Sequence, residues 1–432
     1  EGLPSGFELA SFWSDKKRKG EDKNYVDGVN FILLSPFNGY FEGRMHSNHF
    51  FTQYAVFIKD GRIVLGHFRE PIPIHLVEAS SFVSLDSRRQ FEVAGMSVMT
   101  TTIADALINN KESFMELMNQ TKGVNVPETA VIKKITSELR KKQIQPTKFV
   151  DRVLQTFREK ILRQIPIVNN GDDFYEFRII GKNESRRFIS LSEITAILKN
   201  FMNGFDQKFK NPNIVVKPAI GSLGDGVGMF SEKVLGDANE FILKLLESQE
   251  NILLQERIQD EEWVRINEET GMEEPVDHNL RVITTYDEKG QLVFNKDLIF
   301  VRYFMGNDED INRPVNSFAG ASEMTLSEMF KERGFSEEQQ EQYLNSLKEM
   351  LGEAAQSIEK NVGQESKMKA AGFIGWDVIT KAIKGDNQQR QWYVFEANAG
   401  QVGGIAGMEA SFDLENKGNA ILPIARHLKD KV

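Results

Sequence analysis

The chain has 432 residues, a formal net charge of −10 and no cysteine. Its length is about three times that of a typical domain, so two or three packed subdomains are expected. The missing cysteine excludes disulfides, thiolate metal ligands and cysteine nucleophiles, and the acidic charge argues against a general nucleic-acid binder. No apolar run reaches the length of a membrane span and no charged-then-apolar leader opens the sequence, so we expect a cytoplasmic protein.

The first hundred residues carry strand-like apolar runs at 29–34, 54–58 and 62–68, separated by Asp-Gly and Asn-Gly turns. This pattern predicts a smaller N-terminal α/β domain over residues 1–103. Near Thr101 the spacing of apolar residues changes to that of helices.

Residues 104–212 are predicted to form a linking central subdomain. Two helices separated by an asparagine break are followed by the turn GVNVPET and a strand. Further along, amphipathic helices are predicted at 147–164 and 191–208, in a region rich in charged residues.

The rest of the chain reads as two α+β segments. Residues 213–254 run strand, glycine loop, strand and helix, and predict a lid subdomain. Residues 255–432 predict a C-terminal subdomain with a helical block at 322–361. Two buried strands follow, joined by a charged hairpin loop at 381–390.

The segment NIVVKPAIGSLGDGVGMF, which begins at Asn213, places an apolar strand and Lys217 before a glycine-rich loop. Glycine allows close backbone approach, so successive N–H groups can converge on phosphate oxygens. Lys217 and Ser222 would add a cation and a hydroxyl donor at the loop. A plain structural hairpin with Asp225-Gly226 at its tip would have the same glycine pattern.

Two common glycine fingerprints do not fit this loop. A P-loop ends in Gly-Lys-Ser/Thr on a helix, whereas here the lysine precedes the glycines. A dinucleotide fingerprint opens directly into a helix, whereas residues 227–230 look like a returning strand. The sequence therefore indicates a β-hairpin lid over phosphates or a structural hairpin.

Two carboxylates lie within apolar strands near the end of the chain, Asp377 in FIGWDVI and Glu396 in WYVFEANAG. Isolated carboxylates are costly to bury, so they need a cation or hydrogen-bond donors. Magnesium takes oxygen ligands, and the amide oxygen of Asn398 would complete the set. The alternative is an internal salt bridge to an arginine such as Arg281 or Arg302.

Five motifs in this order, NKESFMELM…VPET, VVKPAIGSLGDGVG, LLQERI, DHNLRVI and WDVI…VFEANAG, resemble the ATP-grasp superfamily. The resemblance covers roughly residues 104–404 and is closest to carboxylate–amine ligases such as the glutathione synthetases, D-alanine–D-alanine ligases and ribosomal-protein glutamate ligases. It implies an α/β (α+β) ATP-grasp fold, with the nucleotide bound between two α+β subdomains.

The resemblance also implies a set of site residues. Arg281 and Arg302 would be catalytic, and Asp377, Glu396 and Asn398 would hold one or two Mg²⁺ ions, with Mn²⁺ as a substitute. The residues implied for ATP are Lys182, Lys217, Gly221, Ser222, Leu223, Gly224, Gly226, Val227, Gln255, Glu256, Arg257, Ile258 and Asn316. The sequence departs from the family pattern in two places. Lys182 is named only because the family has a further phosphate-binding lysine upstream of the glycine strand. The first domain lacks the family's usual glycine-rich opening turn.

The implied reaction transfers the γ-phosphoryl group of ATP to a carboxylate, after which an amine attacks the acyl phosphate. The partners would be ATP, a carboxylate and an amine, with an amino acid or peptide as substrate and a homo-oligomer left open. Two alternatives remain: a kinase that phosphorylates a hydroxyl, and a regulatory protein that binds ATP without turnover.

Overall fold

The structure is a computed structural model of the whole chain. It describes residues 44–46, 49–59, 62–74, 76–77, 97–98, 100–135, 174–182, 187–189, 193–202, 213–220, 226–231, 234–248, 251–258, 263–266, 271–286, 291–305, 321–362, 373–383 and 386–399. Within these ranges, no helix is both long and apolar enough to cross a membrane.

The chain divides into two compact units. The larger unit comprises residues 1–125, 259–307 and 315–432, and the smaller unit comprises residues 126–258 and 308–314. This division differs from the four consecutive segments expected from the sequence, because a chain that leaves a unit and returns has no boundary signal in local composition. The four-segment division stays a prediction.

The first strands of the larger unit form two small sheets. Their bounds are β1 Arg44–His46, β2 His49–Lys59, β3 Arg62–Ile74, β4 Leu76–Val77 and β5 Ser97–Val98. Strands β1 to β3 pair antiparallel in chain order, and β4 pairs with β5 in parallel. The runs predicted at 54–58 and 62–68 lie within β2 and β3, whereas the run at 29–34 lies outside the described residues.

The smaller unit is a six-stranded antiparallel sheet with the order β10-β9-β11-β6-β7-β8. Its elements are β6 Thr129–Ile135, β7 Phe174–Ile179, β8 Arg187–Ile189, α3 Ile194–Met202, β9 Asn213–Pro218, β10 Gly228–Ser231, α4 Leu235–Ser248 and β11 Asn251–Glu256. Alternate residues of the strands join the apolar sides of α3 and α4 in one core, which includes Ile214, Val216 and Ile252. Lys217 lies on the opposite face of the sheet, beside the buried Leu253.

The main sheet of the larger unit is also antiparallel, with the order β15-β14-β13-β16-β17 and the short strand β12 beside β13. Its strands are β12 Val264–Ile266, β13 Glu273–Tyr286, β14 Leu292–Met305, β15 Ser322–Thr325, β16 Phe373–Ile383 and β17 Asp386–Ala399. Its helices are α1 Thr102–Asn109, α2 Lys111–Gln120, α5 Leu326–Glu332 and α6 Glu337–Val362.

Local chemistry explains where several helices begin. The side chain of Thr101 accepts a hydrogen bond from the N–H of Ala104 at the start of α1, and Asn110 accepts one from Ser113 at the start of α2. Thr325 and Glu328 form a reciprocal capping box at α5. The asparagine break predicted between two helices is therefore confirmed as the junction of α1 and α2.

The predicted α/β (α+β) fold class is confirmed in its essentials, since helices accompany two antiparallel sheets. Two details of the prediction are wrong. The block at 322–361 begins with strand β15 rather than helix, and the loop expected at 381–390 is largely paired strand, with Lys381 opposite Gln391. Charged residues suggested a loop, but the solvent-facing part of a hairpin also accepts them. The helix at 147–164 lies outside the described residues.

Candidate active site

Six charged side chains meet on and beside one face of the main sheet in the larger unit. Arg281 on β13 lies opposite Asp377 on β16, and Asp377 lies opposite Glu396 on β17. On the neighbouring row, Arg302 of β14 lies opposite Glu323 of β15. Directly opposed residues in a sheet point to the same face. Lys111, at the start of α2, completes the cluster.

Asp377 accepts contacts from two guanidinium groups. The distance from Arg281 Nε to Asp377 Oδ1 is 3.1 Å, and Arg302 Nη1 donates to the same oxygen at 3.3 Å. All three residues are buried. The salt bridge that the sequence left as an alternative for Asp377 is thus present, and it involves both of the arginines predicted to be catalytic.

The cluster contains three cations, Arg281, Arg302 and Lys111, and three carboxylates, Asp377, Glu323 and Glu396, so its formal charges balance. Burial and the neighbouring Arg281 lower the pKa of Arg302 to about 10, although Asp377, Glu323 and Glu396 act in the opposite direction. Glu323 Oε1 lies 3.9 Å from Arg302 Nε. Burial and the proximity of the two guanidinium groups thus disfavour the charged form of Arg302, while the three carboxylates favour it.

A β-bulge places Glu396 on the charged face. Asp377 is opposite Glu396 but the next residue, Val378, is opposite Val394, so Phe395 is the extra residue. The bulge allows Val394 to point into the core while Glu396 points to the side of Asp377. Glu396 Oε1 lies 3.6 Å from the ammonium of Lys111.

The predicted metal ligands have suitable chemistry for Mg²⁺. Asn398 is two residues beyond Glu396 and lies opposite Gly375, so both side chains point to the face of Asp377. Among the described residues, no group of three His, Cys, Asp or Glu side chains could hold a metal ion. Mg²⁺ commonly takes only one or two carboxylates and completes its shell with water and substrate phosphates. Two carboxylates and an amide therefore fit it.

In the smaller unit, strands β9 and β10 form the predicted hairpin. Val216 lies opposite Gly228 and Ile214 lies opposite Phe230, which confirms the returning strand. Lys217 is 4% exposed and lies on the sheet face away from the apolar core. Its position agrees with the predicted lysine before a glycine loop.

Two glycines near the loop, Gly226 and Gly228, are explained by backbone conformation and by packing, without any ligand. Gly226 has a φ of +71°, which L side chains rarely adopt. A Cβ on Gly228 would lie 2.6 Å from the Phe230 ring and 2.9 Å from the Phe241 ring. These two glycines therefore do not by themselves indicate phosphate binding.

Four of the residues implied for ATP, 255–258, lie at and just after the end of β11. Gln255, Arg257 and Ile258 are buried, and Gln255 Nε2 donates to Thr129 Oγ1 at 3.1 Å. The side chain of Glu256 accepts from the backbone N–H of Glu128 at 3.4 Å. Contacts within the smaller unit thus occupy the side chains of Gln255 and Glu256.

Lys182 lies in the turn that follows β7. Its side chain is 60% exposed, and its ammonium contacts Glu128 Oε1. Gly181, with a φ of +80°, ends the strand before it. A role in binding phosphate stays a prediction.

Several predicted residues lie outside the described residues. These are Gly221, Ser222, Leu223, Gly224 and Asn316. Val227, next to Gly226, is described and half-buried.

Sequence reasoning missed two members of the cluster, Lys111 and Glu323. A lysine in the first turn of a helix opposes the helix dipole, so a buried lysine there needs a compensating anion. That signal was available in NKESFMELM and points to a partner such as Glu396. Glu323 was missed because its segment was predicted to be helical, whereas it lies in strand β15.

No protein-family model and no curated protein sequence matches the chain. Solved structures similar to it include D-alanyl-alanine synthetase A from Vibrio cholerae, with 11% identity, 99% of this chain and 96% of that chain covered, and a TM-score of 0.45. Another is the VanG D-Ala:D-Ser ligase from Enterococcus faecalis, with 13% identity, coverage of 88% and 80%, and a TM-score of 0.43. A third is D-cycloserine synthetase DcsG, with 12% identity, coverage of 79% and 78%, and a TM-score of 0.40.

At these low identities and TM-scores, the similarity does not carry an argument about activity. What the fold and the site define is an α+β protein whose larger unit has a buried sheet face bearing arginines and carboxylates.

Proposed function

We propose that the chain is an ATP- and Mg²⁺-dependent carboxylate–amine ligase that acts on an amino acid or peptide through an acyl phosphate. The observation that carries this proposal is the contact of Arg281 and Arg302 with one carboxylate oxygen of Asp377. Phosphoryl transfer depends mainly on positioning and on cations that offset developing negative charge. A buried pair of neighbouring guanidinium groups suits this role.

The arginines would orient two anions in turn. Arg guanidinium groups bind phosphate and carboxylate oxygens in a forked geometry, which lysine does not reproduce. In the first step, a substrate carboxylate oxygen bonds to the γ-phosphorus and the bond to ADP breaks. In the second step, the amine bonds to the acyl carbon, loses a proton and displaces phosphate.

Asp377, Glu396 and Asn398 would hold Mg²⁺ in this proposal. When bound, the ion would neutralise phosphate charge. Lys111 keeps a cation beside Glu396 and thereby limits the net negative charge of the ligand set. In the smaller unit, Lys217 and the glycine loop would bind phosphate oxygens, and the backbone at 255–258 would bind the base.

The proposal is tested with purified protein, ATP, Mg²⁺ and pairs drawn from a panel of amino acids of both enantiomers and short peptides. We expect inorganic phosphate to be released only when a carboxylate and an amine substrate are both present, together with a product joined by an amide bond. Formation of ADP and a stable phosphoester without free phosphate would instead identify a kinase and contradict ligation.

A matched pair of variants ties any activity to the cluster. Arg302→Lys keeps the charge but loses the fork, and we expect it to abolish most turnover. Arg333 stacks on Trp263 and Phe335 away from the cluster, so Arg333→Lys should retain turnover. Equal losses in both variants would argue against a role for Arg302 in the reaction.

A further inference from the structure

The outer edge of β17 is bonded to asparagine side chains in the described part of the chain. β17 is the last strand in the order of the main sheet. Beside it, Asn109 Nδ2 donates to the carbonyl of Ala399 at 3.2 Å, and the N–H of Ala399 donates to Asn109 Oδ1 at 3.3 Å. One carboxamide thus reproduces both hydrogen bonds of a neighbouring strand.

Asn109 is itself held in place. Its Nδ2 also donates to Asp105 Oδ1 at 2.7 Å, one turn earlier in α1, and Asp105 is buried. Asn109 is the last residue of α1, and Asn110 and Lys111 follow directly as the cap and first residue of α2. The same tripeptide therefore binds the backbone of Ala399 and the side chain of Glu396.

A second asparagine binds β17 on the other side of its bulge. Asn125 Nδ2 donates to the carbonyl of Trp392 at 3.0 Å, and the N–H of Val394 donates to the carbonyl of Asn125 at 2.9 Å. The bulge at Phe395 and the two predicted ligands lie between these two attachments. Beyond the bulge β17 remains paired with β16 on its inner edge as far as Ala399, and Asn109 binds its outer edge there.

We propose that Asn109 is a positioning residue that fixes the end of β17 at Ala399 and so holds Glu396 and Asn398 on the face of Asp377. The part of this inference that concerns the metal rests on the proposed function. Partners behind metal ligands commonly change metal affinity about 10–100-fold when they are mutated. Asn125, which binds the same strand before the bulge, provides a matched control.

The test compares Asn109→Ala, Asn125→Ala and the parent protein by two measurements. Amide hydrogen exchange over residues 395–399 reports the backbone, and a Mn²⁺ titration followed by electron paramagnetic resonance reports the ligands. We expect Asn109→Ala to exchange faster at Ala397 and Ala399 and to bind Mn²⁺ at least about tenfold more weakly. Asn125→Ala removes only the bond to the Trp392 carbonyl, because Val394 donates to the backbone carbonyl of Asn125, and it should change exchange at Ala399 and Mn²⁺ affinity much less.

Asn109→Asp serves as a second variant if the alanine protein does not fold. It keeps the acceptor for the Ala399 N–H, loses the donor and places a like charge beside Asp105, so we expect the same direction of change. Unchanged exchange at Ala399, or equal loss of Mn²⁺ affinity in the two asparagine variants, would overturn the inference. If the parent protein binds no Mn²⁺, the metal assignment fails, and exchange at Ala399 alone decides the role of Asn109.

Discussion

Arg281 and Asp377 face each other directly across β13 and β16, with Nε and Oδ1 3.1 Å apart, and Arg302 reaches the same oxygen. The register of the two strands fixes this contact. A carboxylate shared by two buried cations has a large effect on stability, because removing it leaves both guanidinium groups in a poorly solvated place.

Asp377→Asn should therefore destabilise the protein strongly. Breaking a buried ion pair by removing one partner costs about 3–5 kcal/mol. Urea unfolding measures the change, and Glu349→Gln on the exposed side of α6 is the control, for which we expect less than about 1 kcal/mol. A loss for Asp377→Asn as small as that of the control would mean that the two arginines find other partners.

Lys111→Met tests whether Lys111 is needed for activity through its contact with Glu396, or affects only the stability of helix α2. Because a cation opposes the dipole at the start of α2, its removal should favour the helix by up to about 1 kcal/mol. It also removes the partner of Glu396, whose side chain is 23% exposed, so the two effects on stability oppose each other. We expect little change in unfolding free energy but a large loss of ATP-dependent phosphate release.

Lys111→Arg is the companion variant, since it keeps the charge at the same position. Recovery of phosphate release in Lys111→Arg would assign the effect to charge beside Glu396. Full activity in Lys111→Met would show that Lys111 has no part in the reaction.

The sequence predicts the parts of the site that local patterns encode. A carboxylate within an apolar strand indicated Asp377 and Glu396, and a lysine before glycines indicated the β9–β10 hairpin. Cross-strand register is set by pairing between distant segments, so the contact of one oxygen with Arg281 and Arg302 could be named only as an alternative. The sequence around Phe395 carries no local signal for the bulge either. A bulge is defined by how its strand pairs with a neighbouring strand, and here that neighbour is β16.

Other features were missed because one pattern can have two causes. Glycines at 226 and 228 suggested phosphate binding, yet positive φ at one and ring contacts at the other account for them. Glu323 lies in a short strand whose charged surroundings resemble a helix. Asn109 and Asn125 bind β17 from positions about 270 to 290 residues away in the chain, a separation that composition cannot reveal.

Gly228→Ala tests the packing explanation for the glycine segment. The new Cβ would overlap the rings of Phe230 and Phe241, and overpacking typically costs about 1–3 kcal/mol. Gly236→Ala in α4 is the control in the same unit, because no atom lies within 4 Å of its Cβ and alanine favours a helix. Unfolding by urea should show a loss for Gly228→Ala and none for Gly236→Ala; equal stability would refute the overlap.

Lys182→Met separates the predicted role in phosphate binding from stability. Its side chain is mostly exposed and its pairing with Glu128 lies at the surface, so we expect a change in unfolding free energy of no more than about 1 kcal/mol. If Lys182 binds a phosphate, the KM for ATP should rise while the KM for the amine stays constant. Lys244→Met on exposed α4 is the control, and an unchanged KM for ATP in both variants would remove Lys182 from the site.

Tyr286→Phe should change the stability of the protein at alkaline pH. Burial, and to a smaller extent the charge of Glu359, raise the pKa of the Tyr286 phenol above its ordinary value of 10.0. Above pH 10 the unfolded chain releases this proton while the folded protein keeps it, so stability falls as the pH rises towards the folded-state pKa. One proton corresponds to a slope of at most about 1.4 kcal/mol per pH unit.

Urea unfolding at pH 9, 10 and 11 measures this slope, and the lysines common to both proteins cancel in the comparison. We expect the parent protein to lose stability more steeply than Tyr286→Phe above pH 10. Tyr393→Phe on the partly buried face of β17 controls for the loss of a hydroxyl group. Parallel curves for the parent and Tyr286→Phe would show that the phenol ionises equally easily in the folded and unfolded states, because only a difference in pKa couples its proton to folding.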